Sequence, residues 1–129
     1  MAKRVLIVED EPDIQEIERM AVEDLLGCDA IVASTGEEAL DKAAQSPPDL
    51  VVLDLLLPGM DGFTVAARLR ADSRLRHANI LALSGLSRPE DQKKAREAGC
   101  NEVLTKPFDL DELLQKMEKL VAPCASANP

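Results

Sequence analysis

Five short aliphatic runs recur along the chain at near-regular spacing: VLIV at residues 5–8, AIVA at 30–33, LVVL at 50–53, ILAL at 80–83 and a weaker VL at 103–104. Each is followed by a longer stretch in which polar and apolar residues alternate with helical spacing, so the pattern is strand then helix, repeated. Runs this continuous belong to strands buried on both faces, and such strands need helices above and below a parallel sheet. With right-handed crossovers the pattern predicts a doubly wound α/β domain.

The intervening segments agree. Ile14, Ile17, Ala21 and Leu25 predict one apolar face in the first helix, Leu40, Ala43 and Ala44 in the second, and Phe63, Ala66 and Leu69 in the third. The last helix is the clearest: Leu110, Leu113, Leu114, Met117 and Val121 follow Asp109 at N-cap and Glu112 at N3, with Phe108 and Leu113 spaced as a staple. Thr35 with Glu38, and Ser87 with Glu90, have capping-box spacing; Pro12 suits a first helical turn and Gly99 a position just past a helix end. The fourth helix, around EDQKKAREA, offers only Ala95 and Ala98 to a core and is expected to be the least anchored. From Ala122 on, APCASANP reads as an irregular tail over residues 122–129, either a natural end or the start of a linker, after a domain of residues 1–121.

Composition excludes several classes of function. A chain of 129 residues has room for one core. Its formal net charge of -9 repels phosphate backbones and anionic lipid, and with no Trp or Tyr there is little for bases to stack on, so neither nucleic acid nor membrane is an expected partner. No apolar run approaches membrane-spanning length and the start lacks a signal-peptide core, so a cytoplasmic location is expected. Cys28, Cys100 and Cys124 lack metal-site spacing and read as plain thiols; His77, the only histidine, lies in a polar connection and reads as solvated.

The polar residues after the runs carry the chemistry. Glu9 and Asp10 follow the first, Asp54 and Ser84 end the third and fourth, and Lys106 follows the fifth. Taken singly, each reads as a cap, turn or surface charge. Jointly they lie at strand carboxyl ends, which share one edge of a parallel sheet, where ligands of open α/β folds bind. Crowded carboxylates repel by about 4 kcal/mol per pair at 4 Å and an effective dielectric near 20, and a cation relieves this. Oxygen-only ligation favours a hard ion, and Mg²⁺ is the usual one where carboxylates share it with a phosphate.

VLIVEDEPD, VVLDLLLPGMDGF, LALSG and LTKPF, in this order, resemble the receiver domain of bacterial response regulators of two-component signalling, in particular single-domain receivers of the chemotaxis type, from residue 5 to residue 121. The resemblance implies a flavodoxin-like five-stranded sheet of order 2-1-3-4-5 with helices on both faces. It implies that Asp54 accepts a phosphoryl group from a histidine kinase or a histidine phosphotransfer protein. Glu9, Asp10, Asp54 and the backbone carbonyl of Leu56 would hold Mg²⁺, Glu9 directly or through water; Ser84 and Lys106 would bind phosphoryl oxygens, and the Lys106–Pro107 bond would be cis. Such a domain catalyses only its own phosphorylation and dephosphorylation, and its output is altered binding to a downstream protein. The same pattern would suit a receiver cut from a longer regulator or a hybrid kinase. A haloacid-dehalogenase-type phosphatase also uses an aspartate at a strand end, but that family has a second Asp two residues on, where this chain has Leu56.

Three positions depart from the resemblance. Glu9 stands where Asp is commoner. Val103, three before the lysine, replaces a frequent aromatic residue, so no ring can report the phosphorylated state. Leu56 and Leu86, two beyond Asp54 and Ser84, cannot orient a water for hydrolysis as an amide or acid could. The acyl phosphate is therefore expected to be long-lived; rapid loss of label from purified phosphoprotein in Mg²⁺ would contradict this.

Overall fold

The computed structural model describes residues 3–85 and 88–125. Five parallel strands, β1 (Arg4–Val8), β2 (Asp29–Ala33), β3 (Leu50–Asp54), β4 (Asn79–Ser84) and β5 (Glu102–Thr105), form one sheet in the order β2-β1-β3-β4-β5. They alternate with α1 (Pro12–Met20), α2 (Gly36–Gln45), α3 (Gly62–Ala71), α4 (Pro89–Glu97) and α5 (Leu110–Ala125). The doubly wound fold and its strand order are those expected.

Successive strand residues point to opposite faces, and this period divides the core in two. Leu6, Val8, Val51, Leu53, Ile80 and Ala82 pack under α2, α3 and Ala95 of α4. Val5, Ile7, Leu50, Val52, Leu81 and Leu83 pack under Ala21 and Val22 on one side and Leu113, Met117 and Val121 of α5 on the other. Ala95 is the one buried residue of α4, in line with its sparse apolar content. Among the described residues no helix is long and apolar enough to cross a membrane.

Most helix boundaries follow the sequence signals. Asp109 Oδ1 accepts from the Glu112 N–H at 2.8 Å while Glu112 Oε1 accepts from the Asp109 N–H at 3.3 Å, a reciprocal capping box. Thr35 caps α2 by accepting from the Glu38 N–H, although the Glu38 carboxylate reaches back to the Ser34 N–H rather than to Thr35. Pro12 opens α1, and Gly99, at φ +113°, follows α4. The box proposed at Ser87 involves a residue outside the described ones, as is Leu86. His77 is exposed, and Cys28 and Cys100 are buried free thiols; the side chain of Cys124 lies outside the description.

Two expectations need correction. The segment from Ala122 is not irregular at its start: α5 continues through Ala125 despite Pro123. The apolar face expected of α1 is also displaced. Ile17 and Leu25 are 47% and 52% exposed, while Glu18, Ala21 and Val22 are buried. The buried Glu18, Ala21 and Val22 share one regular helical face with the half-buried Ile14, so the inward face of α1 is rotated from the one Ile17 marks; a π-helical turn over Ala21–Leu25, in which the Leu26 N–H bonds to the Ala21 carbonyl, then carries Leu25 out to solvent.

Arg70 at the end of α3 fastens the turn between α4 and β5. Its guanidinium donates to the carbonyls of Gly99, Arg76 and Ala78 and to Asn101 Oδ1, at 2.5–2.9 Å. A side chain at Gly99 would collide with Arg70, so this position needs glycine for space as well as for its φ. Arg70→Ala is expected to cost about 2 kcal/mol in urea unfolding, and Arg70→Lys most of that, because an ammonium cannot reproduce the forked contacts.

Candidate functional site

Register brings the polar residues together. Val8 pairs with Leu53 and Asp54 with Leu83, so Glu9, the residue after β1, comes alongside Asp54 at the end of β3; Ser84 pairs with Thr105, one residue before Lys106. The strand order reverses between β1 and β3, so Glu9, Asp10 and Asp54 flank the crevice where such folds bind ligands. Carboxylate oxygens of these three lie within 4.8 Å of one another. Glu9, Asp54 and Ser84 are buried, whereas Asp10 is exposed toward solvent.

Asp54 is held at both oxygens. The Leu56 N–H donates to Oδ1 at 2.9 Å and Lys106 Nζ donates to Oδ2 at 3.2 Å, while Lys106 also faces Glu9 Oε1 at 3.9 Å. The Lys106–Pro107 bond is cis. Leu56 is 59% exposed. Asp61, which the sequence reading does not single out, caps α3 and brings Gly62 so close to the Asp54 carbonyl and Leu55 that a Cβ there would overlap them. That contact fixes the loop following Asp54.

Charge is unevenly compensated here. Burial, and then the charge of Asp54, raise the Glu9 carboxyl to a pKa of about 7. Glu9 Oε2 accepts from the Glu11 N–H, but Oε1 is buried without a hydrogen-bond partner. Burial acts against the Lys106 ammonium, yet Asp54 and Glu9 outweigh it and raise its pKa. A hard cation fits this donor set: three carboxylates, one with an orphaned buried oxygen, and no nitrogen or sulfur ligand beside them.

A fourth carboxylate lies behind. Glu18 of α1 is 1% exposed, neither of its oxygens has a partner, and burial followed by the Glu9 charge pushes its pKa up to about 8. Helical periodicity does not reveal it, because Glu18 reads as the polar neighbour of Ile17; only the packing of α1 shows it is inside.

The fold and this arrangement define a phosphoryl-receiver class of protein, and comparison with known proteins gives the family. The family model for the response regulator receiver domain matches residues 5–118, and the chain belongs to that family. It is 38% identical over 118 residues to the DNA-binding dual master transcriptional regulator RpaA of Synechocystis, covering 92% of this chain and 48% of that protein. It is 31% identical over 121 residues to the polar-differentiation response regulator DivK of Brucella ovis, covering 92% and 95%. The chain thus spans about half the length of the first of these relatives and nearly all of the second. Among solved structures, chemotaxis protein CheY4 of Vibrio cholerae superposes with a TM-score of 0.87 at 28% identity, covering 93% of this chain and 99% of that one. The receiver domain of sensor histidine kinase PA1611 of Pseudomonas aeruginosa, determined with a magnesium ion coordinated in its active-site cleft, superposes at 0.81 with 27% identity, covering 95% and 99%. Receiver domains are signalling modules of two-component systems, and family membership removes the phosphatase alternative.

The buried acids make a pH prediction. Folding raises Glu18 from 4.5 to about 8 and Glu9 to about 7, so the folded protein retains protons that the unfolded chain releases. Stability is then greatest below about pH 4.5 as far as these groups are concerned, and falls as pH rises toward 8. In urea unfolding without divalent cations, Glu18→Leu is expected to flatten this fall, leaving the part due to Glu9, which ends near pH 7. An unchanged slope would show that Glu18 is not protonated in the folded state.

Proposed function

We propose that Asp54 is the phosphoacceptor and that the donor is a phosphohistidine on a histidine kinase or a histidine phosphotransfer protein. The observation that carries this is the setting of the Asp54 carboxylate: one oxygen on the Leu56 N–H, the other on Lys106, and two further acids beside it at the crevice. A carboxylate oxygen attacks phosphorus as the bond to the imidazole nitrogen breaks, and the donor histidine leaves as imidazole. Such transfers depend on positioning and charge neutralisation rather than on elaborate covalent chemistry.

Glu9, Asp10, Asp54 and the Leu56 carbonyl are the residues that would hold Mg²⁺, which when bound supplies positive charge to the phosphoryl oxygens. The magnesium ion in the PA1611 receiver supports that choice by likeness. Lys106 gives a second, monovalent charge at Asp54 Oδ2. Ser84, at the end of the neighbouring strand, is assigned to a phosphoryl oxygen through its hydroxyl. The domain works on itself alone, in the cytoplasm, and its output is a change in binding to another protein. The route assigned to that change runs from Ser84 to α4, which one buried alanine and the Lys94 ammonium over the Phe63 ring, 4.4 Å from its centroid, hold in place. An output domain beyond this chain, as in RpaA, would be reached through the same movement.

Acetyl phosphate is expected to label Asp54 only with Mg²⁺ present, and chelation by EDTA to abolish labelling. Because the chain lacks Trp, intact-mass detection is the suitable readout. Label that persists in Asp54→Asn, or that ignores chelation, would overturn the assignment.

A further inference from the structure

Beside the acidic crevice, α1 and the connection from β5 to α5 enclose a groove of about 620 Å³. Ile14, Ile17, Phe108 and Leu113 make its apolar walls; Glu11, Glu18 and Lys106 are polar members of its lining. The volume falls within the range of small-molecule sites, which pair mainly apolar walls with a few polar groups. Lys106 is already engaged with Asp54. Glu18 has no partner for either oxygen, a costly state for a buried polar group that a ligand N–H relieves.

We infer that this groove binds a small organic cation, an ammonium head on an apolar body, with the Glu18 carboxylate as its anchor. The sign of the ligand charge follows from the surroundings. Glu11 and Glu18 line the groove, and the ammonium in its lining, Lys106, is already paired with Asp54, so a cation is drawn in and an anion repelled. The apolar body is required because the walls are aliphatic and aromatic, and Ile17, 47% exposed at the edge, is available to close over it. Glu18 is 1% exposed where it lines the groove, so pairing with the head requires its carboxylate to turn outward toward the ligand. An incoming ammonium also offsets the charge that burial otherwise suppresses on Glu18. This inference does not depend on the phosphoacceptor assignment.

The test uses the full chain with excess Mg²⁺, which occupies carboxylates that an ammonium would otherwise meet in the crevice. Amide shifts are followed by NMR during titration with phenethylamine, its neutral analogue 2-phenylethanol and the anionic 3-phenylpropionate. Phenethylammonium is expected to shift residues 14–18 and 106–113 and to bind at least about tenfold more tightly than 2-phenylethanol, a difference of about 1.4 kcal/mol; the anion should bind least. In Glu18→Leu the preference for the cation should vanish while 2-phenylethanol still binds. Replacing a buried carboxyl with leucine is expected to preserve the fold; if it does not, Glu18→Gln, with a several-fold loss of the preference, serves instead. Equal affinity for the cation and the alcohol, an undiminished preference in the variants, or shifts centred on Asp10 and Asp54 would overturn the proposal. Mg²⁺-dependent labelling of Asp54 is measured separately, so the two readings fail independently.

Discussion

A parallel sheet covered on both faces leaves polar side chains few places on its strands except the ends, and β3 is the strictest case. Every residue from Leu50 to Asp54 is buried, with β1 on one side and β4 on the other. Four are aliphatic and are stabilised by roughly 1.5–3 kcal/mol each on full burial. The fifth is a carboxylate that gains nothing from that environment and is tolerated through Lys106 and the Leu56 N–H. Hydrophobic burial of the central strand thus sets the position of Asp54, and the register with β1 and β5 sets what surrounds it.

The balance at that edge is electrostatic and incomplete. Of the three carboxylates, Lys106 reaches two, Glu9 and Asp54, and Glu9 Oε1, buried without a hydrogen bond, marks where compensation runs short. At about 4 Å and an effective dielectric near 20, like charges cost about 4 kcal/mol, as much as one lysine contact returns. A single ammonium therefore offsets one repulsion and leaves others. A divalent cation, and later a phosphoryl group contacting both it and Lys106, meet a site whose protein atoms are already in place.

Much of this is legible from residues alone. Strand positions follow from aliphatic runs, and the joint placement of Glu9, Asp10, Asp54, Ser84 and Lys106 follows from parallel topology, which aligns all carboxyl ends. Helix ends are legible where one side chain meets one nearby backbone group, as at Asp109 and Glu112. What escapes is rotation. A helix has one apolar face only while its period holds, and the π-helical turn after Met20 breaks that period and exposes Leu25. The tail escapes for a related reason: proline at 123 reads as a stop, yet the backbone of α5 remains helical to Ala125.

Glu18, which precedes the π-helical turn, is a separate departure. On an ideal amphipathic α1, Ile17 would face the sheet and a glutamate beside it would reach water. Here the glutamate is inside, and its proton is retained first because burial penalises the charged form and then because an ionised acid so near Glu9 and Asp54 would add another repulsion. A leucine at this position would pack without that penalty and would favour the folded state. The buried carboxyl is thus a stability cost located within reach of the groove and behind the phosphoacceptor. The cation inferred for the groove between α1 and α5 would offset that cost by pairing with Glu18.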